Sequence, residues 1–169
     1  MTTTTTFRTG TWTVQTALAR FTARGLLGHT VIGTIDVLTG TLDIDADHHP
    51  RRLHVTLDPA SINTGHTRRD KDLRGKRFLN VATHPTMSVA ADKISPTPRG
   101  WQAPATLQVA GNSAPLLIDA ELDDLPTDSH LRAHGTARVD LHDAGIKVPT
   151  LLVRRYVDIT ISAELVHTQ

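Results

Sequence analysis

Residues 61–85 read Ser-Ile-Asn-Thr-Gly-His-Thr-Arg-Arg-Asp-Lys-Asp-Leu-Arg-Gly-Lys-Arg-Phe-Leu-Asn-Val-Ala-Thr-His-Pro, and they interrupt a chain that otherwise alternates like β-structure. Asn63-Thr64-Gly65 is turn chemistry, Thr67 with Asp70 three residues on matches a capping box, and Gly75 stands where a short helix would stop. The spacing predicts about two turns of charged helix. Leu73, Phe78, Leu79 and Val81 give this helix and the loop after it an apolar side. The segment is therefore expected to lie across an apolar surface as a lid or plug, with its charges in water.

On either side the period is two, that of a half-buried strand. Trp12, Val14, Thr16 and Leu18 alternate with Thr11, Thr13, Gln15 and Ala17, and Phe21 to Leu27 continue that strand or start its neighbour. From Val31 to Val37 the apolar positions are mostly odd, whereas Leu42 and Ile44 are even, so one residue must be absorbed near Thr39-Gly40, by a bulge or a turn. Asp45 to Arg52 reads as a polar loop. Leu53, Val55 and Leu57 form the next strand, which Asp58-Pro59 is expected to end. After residue 85, Thr86 to Ala90 can pair, and Ser95 to Gly100, with two prolines, reads as a turn no strand crosses. Ala105–Val109 and Leu116–Leu122 flank a hairpin signal at Gly111-Asn112-Ser113. Two long alternating strands close the chain, over Leu131–Leu141 and Val157–Leu165. About eight strands result, each with one apolar face, a pattern that fits a closed barrel and an open sandwich alike.

The 169 residues suit one domain, residues 11–169, preceded by a threonine-rich arm over 1–10 that has little to bury and is expected to be loosely attached. Hydrophobic residues make up 38% of the chain but only six are Phe, Trp or Tyr, so any cavity would be lined mainly by aliphatic side chains. Such a lining suits flexible alkyl or prenyl chains better than flat rings. Cysteine is absent, which removes disulfides and thiol chemistry. Residues 1–8 show neither a basic start nor an apolar run of signal-peptide length, so the chain is read as cytoplasmic. A formal net charge of +1 argues against nucleic-acid binding. Within residues 66–77, however, six cations face two carboxylates, a local +4 that leaves about −3 elsewhere.

The motifs of residues 61–85 also carry a likeness. Ser61-Ile62-Asn63-Thr64-Gly65, Arg69-Asp70, Leu73-Arg74, Phe78 and His84-Pro85 resemble the signature of the YceI family, with weaker likeness at Arg24–Gly28, Ala105–Glu121 and Gly145-Ile146. Gln15, Leu18, Ala19, Asp72, Arg77, Asn80, Leu141 and Ala144 depart from the family's usual residues. The resemblance implies an all-β fold: a closed, antiparallel, lipocalin-like barrel of about eight strands with one short helix as a lid. It also implies a long apolar cavity that holds a polyisoprenoid or another lipid.

Alternation alone places Trp12, Val14, Leu53, Val55, Leu57, Leu107, Val109, Leu116, Ile118, Ile159 and Ile161 on the inner face, where the bland reading is ordinary core. With the resemblance they become the expected lining of a ligand cavity. Arg68, Arg69, Arg74, Lys76 and Arg77 on the lid are the candidates for contact with an anionic head group or an anionic membrane surface, against the plain reading of a solvated helix face. The alternative reading of the Arg69-Asp70 pair is a lid fastening. No nucleophile elbow, phosphate loop or zinc-protease motif is present, so no catalytic residue is assigned. His130 and His134 lie four residues apart on a strand, roughly 13 Å, too far to share an ion, and no metal is assigned. The expected function is non-enzymatic: binding, sequestration or transport of a long-chain lipid such as a polyisoprenoid, an isoprenoid quinone or a fatty-acid-like chain, with no cofactor besides that ligand. The alternatives are a lipid-acting enzyme using His66 and Asp70, and a ligand-free barrel for protein interaction. A homodimer is the remaining partner left open.

Overall fold

The computed structural model describes residues 6–25, 28–147 and 154–168. Among these residues nine strands and one helix follow in order: β1 (Gly10–Arg24), β2 (Thr30–Ile44), β3 (Pro50–Asn63), α1 (Thr67–Arg74), β4 (Met87–Ala91), β5 (Ser95–Pro96), β6 (Trp101–Val109), β7 (Asn112–Leu122), β8 (His130–Asp140) and β9 (Tyr156–His167). All pairings are antiparallel in the order β4-β3-β2-β1-β9-β8-β7-β6-β5. A further β4–β6 pairing, Ser88–Ala90 with Thr106–Gln108, joins the ends and closes an eight-stranded barrel. Closure pairs β4, the outer strand of the order, with β6, so that no barrel strand is left with a wholly free edge. Two-residue β5 hangs on β6 as an extra piece.

Where alternation is unbroken, the expected faces hold. Leu131, Ala133, Gly135, Ala137 and Val139 of β8 lie opposite Leu165, Ala163, Ile161, Ile159 and Val157 of β9, residue for residue. The β6–β7 hairpin turns at Ala110 and Gly111, both with positive φ (49° and 80°), the backbone that a two-residue turn matching strand twist requires. The phase change near Thr39 is a shift in the β2–β3 register between Val37 and Thr39.

Three expectations are corrected. On β1 the pairing with β9 slips between Val14 and Thr16, so Gln15 is an extra residue. Beyond it Ala17, Ala19 and Phe21 face inward and Leu18 is 47% exposed. Second, β3 does not stop at Asp58-Pro59. It runs to Asn63 with Pro59 fully buried, because the β2–β3 register breaks there and the missing proline N–H interrupts no ladder bond. Third, Ser95-Pro96 do pair, with Gln102 and Trp101. The expected loose arm lies outside the described residues over 1–5, as do Leu26 and Leu27. Its described part is fastened: Phe7 is buried, Arg8 O accepts from Trp12 Nε1 at 3.0 Å, and Phe7 O lies 2.8 Å from His48 Nδ1.

Candidate functional site

The inward side chains do not fill the barrel. They enclose a cavity of about 210 Å³. A single water needs roughly 10–15 Å³ on this measure, so the space is far larger than a packing defect. Val14, Leu53, Val55, Leu57, Leu107, Leu116, Ile118, Ile159 and Ile161 line it. They are joined by residues the alternation did not single out, among them Ala17, Ala19, Phe21, Ile35, Val37, Met87, Trp101 and Ala103. Small residues keep the bore open. Gly33 lies opposite Phe21 on β1, and a Cβ there would come within 2.3 Å of the ring, so glycine makes room for the only phenylalanine on a lining strand.

Trp12 and Val109 are not part of the lining. Trp12, fully buried, sits in a second apolar cluster with Phe7, Ile44, Leu131 and Leu165 at the end of the barrel where β1 begins. There the rings of Phe7 and Trp101 meet at 5.2 Å with an interplanar angle of 59°, a tilted aromatic contact that closes this end. Val109 belongs to the packing at the opposite end, with Ile62, Leu79, Met87 and Ala144. Alternation reports which face a side chain takes, and does not report its height along the bore.

The segment after β3 covers that opposite end. Leu79 is buried among the strand residues, and Leu73 and Val81 pack beside it. His66, not Thr67, caps α1: its Nδ1 accepts the Arg69 N–H at 3.2 Å. Asp70 does not act in a capping box but reaches back to Thr64, whose N–H donates to both carboxylate oxygens at 3.0 and 3.2 Å. Arg69 donates to Thr64 Oγ1 (2.8 Å) and Thr64 O (3.0 Å). Arg69 and Asp70 thus clasp one threonine from both sides and hold the helix to the end of β3. With its oxygens so engaged, Asp70 does not pair with the His66 side chain as an acid–base couple. Arg68, Lys76 and Arg77 are exposed, Arg74 is half-buried, and none of the five lid cations lines the cavity.

Polar groups on the cavity wall are few: Arg20, Glu121, His134 and Thr136. His134 Nδ1 lies 2.5 Å from Asp123 Oδ1, and its Nε2 3.7 Å from Glu121 Oε2. Lowered carboxylate pKa values occur elsewhere, at Asp45 and Asp140. The hydrogen bond from Arg51 holds the Asp45 carboxyl below its ordinary range, and that from Arg155 does the same for Asp140. Both arginines are correspondingly raised. Neither pair touches the cavity.

An eight-stranded closed barrel with an apolar bore and a helical cover belongs to the lipocalin-like class of barrels. Within that class the match is specific: the YceI-like domain covers residues 12–165, and the chain belongs to that family. It is 26% identical over 155 residues to protein YceI of Escherichia coli O6:H1, covering 89% of this chain and 81% of that one. It is 28% identical over 110 residues to a UPF0312 protein of Yersinia pestis, an alignment that spans 64% of this chain and 57% of the relative. Among solved structures the fold is similar to BcnA of Burkholderia cenocepacia (TM-score 0.77, 13% identity, 88% of this chain and 95% of that one). It is also similar to a polyisoprenoid-binding domain from Saccharophagus degradans (TM-score 0.68, 13% identity, 93% and 98%).

Proposed function

We propose that this protein takes one apolar, long-chain lipid into the barrel and holds it there, as a carrier or sequestering protein and not as an enzyme. The observation that carries the reading is the cavity itself: about 210 Å³ of space inside the barrel with an almost entirely apolar wall. Each Å² of alkyl surface moved from water onto that wall contributes about 25 cal/mol, with no need for a directed polar contact. A polyisoprenoid is the favoured ligand, since branched, flexible units fit a bore lined by alanine, valine, leucine and isoleucine. That a structural relative is a polyisoprenoid-binding domain supports the choice. The exposed cations Arg68, Lys76 and Arg77 are proposed to meet an anionic membrane surface, each contributing about 1 kcal/mol near such a surface.

Mass spectrometry of organic extracts from gently purified protein tests this reading. A long-chain lipid at near-stoichiometric amount is the expected result. Its repeated absence, together with failure of the stripped protein to bind added prenyl lipids, would overturn it in favour of a ligand-free barrel.

A further inference from the structure

The barrel wall is not equally closed all round. Between β7 and β8 the ladder consists of four pairs, from Leu122↔Ala133 to Asp119↔Thr136. Toward the helix-covered end, residues 112–118 of β7 and 137–140 of β8 do not pair with one another. The facing strand edges there carry backbone N–H and C=O groups that no ladder partner takes up. By contrast β8 pairs with β9 along its whole length.

Beside this seam lies a hollow on the outer surface, lined by Leu117, Asp119, Thr136, Ala137, Arg138, Asp158, Ile159 and Thr160. Ala137 and Ile159 face inward by register and line the internal cavity as well. Two inward residues that are also walls of an outer hollow mark the place where inside and outside come closest. Leu117, 48% exposed, supplies an apolar lip. The seam is bounded on one side by the four-pair ladder. On the other lies the turn after β8, whose Gly145 is packed against Asn112.

The charges at this place are specific. Arg138 donates from Nε to Asp158 Oδ1 at 2.9 Å, so its charge is already matched. Arg24 Nη1 lies 3.7 Å from the same carboxylate, and Gln102 Nε2 donates to Asp119 at 3.0 Å. Asp119 and Asp158 are thus balanced by Arg138 and Arg24, both of them engaged on Asp158, so the hollow has no surplus positive charge to draw a phosphate. Thr136, Thr160 and the bare strand edges offer hydrogen bonds to an uncharged group.

Resting on the carrier reading, we infer that the β7–β8 seam is a side mouth through which the apolar chain enters, leaving an uncharged, hydrogen-bonding end such as an alcohol or a quinone carbonyl in the outer hollow. The lid arginines are then not the head-group site.

The absence of cysteine allows a direct test. L117C is labelled after folding with a bulky methanethiosulfonate, and L38C, at 52% exposed Leu38 on the outer face of β2, serves as control. Uptake of geranylgeraniol is followed by displacement of the neutral fluorophore N-phenyl-1-naphthylamine. Label on L117C should slow uptake at least tenfold, reversed when a reductant removes it, whereas label on L38C should leave the rate unchanged. The unlabelled protein should bind geranylgeraniol at least tenfold more tightly than geranylgeranyl diphosphate. Unchanged uptake by labelled L117C, or equal slowing in L38C, would overturn the side mouth while leaving the carrier intact. Tighter binding of the diphosphate would overturn the uncharged seat. No uptake by any form would overturn the carrier reading and the mouth with it.

Discussion

Asp70 of α1 and Thr64 at the end of β3 are joined by two hydrogen bonds from the Thr64 N–H, at 3.0 and 3.2 Å, and by a third from its hydroxyl. Asp70 is the one charged side chain buried among the described residues, 7% exposed. Asp70→Ala leaves the Thr64 N–H without its acceptor, which costs roughly 1–3 kcal/mol, more where the lost partner was charged. A lowered urea midpoint is the expected readout. Asp72→Ala, two residues on and exposed, should stay within about 0.5 kcal/mol of the parent. Equal effects of the two substitutions would mean that the clasp does not hold the cover in place.

Phe7 precedes the first strand yet packs against Trp101 and the second apolar cluster. Phe7→Ala should cost about 3 kcal/mol, at the lower end of the range for a buried phenylalanine. The loss of the ring should also shift the fluorescence of the cavity-lining Trp101. A change below about 1 kcal/mol would return residues 6–9 to the loose arm expected from their composition.

Which parts were legible follows from what alternation encodes. β8 and β9 keep strict period two, so their inward faces are legible in the sequence, as is the phase change near Thr39, although Leu141, expected in the strand, lies just past the end of β8. The equivalent slip at Gln15 was missed because Thr16 and Leu18 continue the count of Trp12 and Val14, although Ala17, Ala19 and Phe21 form an odd-numbered set that signals it. Pro59 and Pro96 were read as strand breakers, but each sits where the ladder is interrupted or at its margin, and such places become visible only when the partner strand is known. Cavity and core demand the same apolar face, so alternation alone cannot separate Ile161, which lines space, from Trp12, which fills it. The β7–β8 seam is only faintly marked: Pro115, with no N–H to donate, and the run Leu116-Leu117-Ile118 break the alternation within residues 112–118, whereas residues 137–140 alternate normally, and neither segment alone reveals that the two strands stop pairing.

Asp140 takes hydrogen bonds from Arg155 Nε at 2.8 and 2.9 Å, and this partner holds its carboxyl below the ordinary value of about 3.9. A carboxyl lowered in the folded state binds protons less readily than in the unfolded chain. Its contribution to stability is therefore complete above about pH 4 and lost as pH falls through the lowered folded value. Asp140→Asn should be less stable than the parent at pH 7, and the gap should narrow in acid. Added salt should narrow it too, since the pair lies near the surface. A gap that stayed constant down to pH 2 would show that packing, not charge, separates the two proteins.

Converting Arg68, Lys76 and Arg77 to glutamate changes the charge of the exposed lid face by −6. Association with anionic vesicles, measured by co-sedimentation, should disappear. The urea midpoint should barely move, because exposed charges contribute little to stability. Vesicle binding that survived the triple substitution would leave these residues as an ordinary solvated face.

Ile161 gives the most direct separation of cavity from core. It sits mid-strand on β9, opposite Ala19 on one side and Gly135 on the other, and faces the bore between Ile159 and Ala163. In a filled interior, Ile161→Trp would overpack and cost roughly 1–3 kcal/mol or more. With open space of about 210 Å³ ahead of it and only Ala19 and Gly135 directly opposite it, the indole has somewhere to go. The stability of the lipid-stripped protein should therefore hold, with an unchanged urea midpoint and slope. Binding of long prenyl chains should fall at least tenfold because the bore is blocked, while a short apolar probe that needs only part of the bore should lose less. Clear destabilisation of the stripped protein would mean that the side chains close up on the space, and a carrier with no room for its cargo would have to be abandoned.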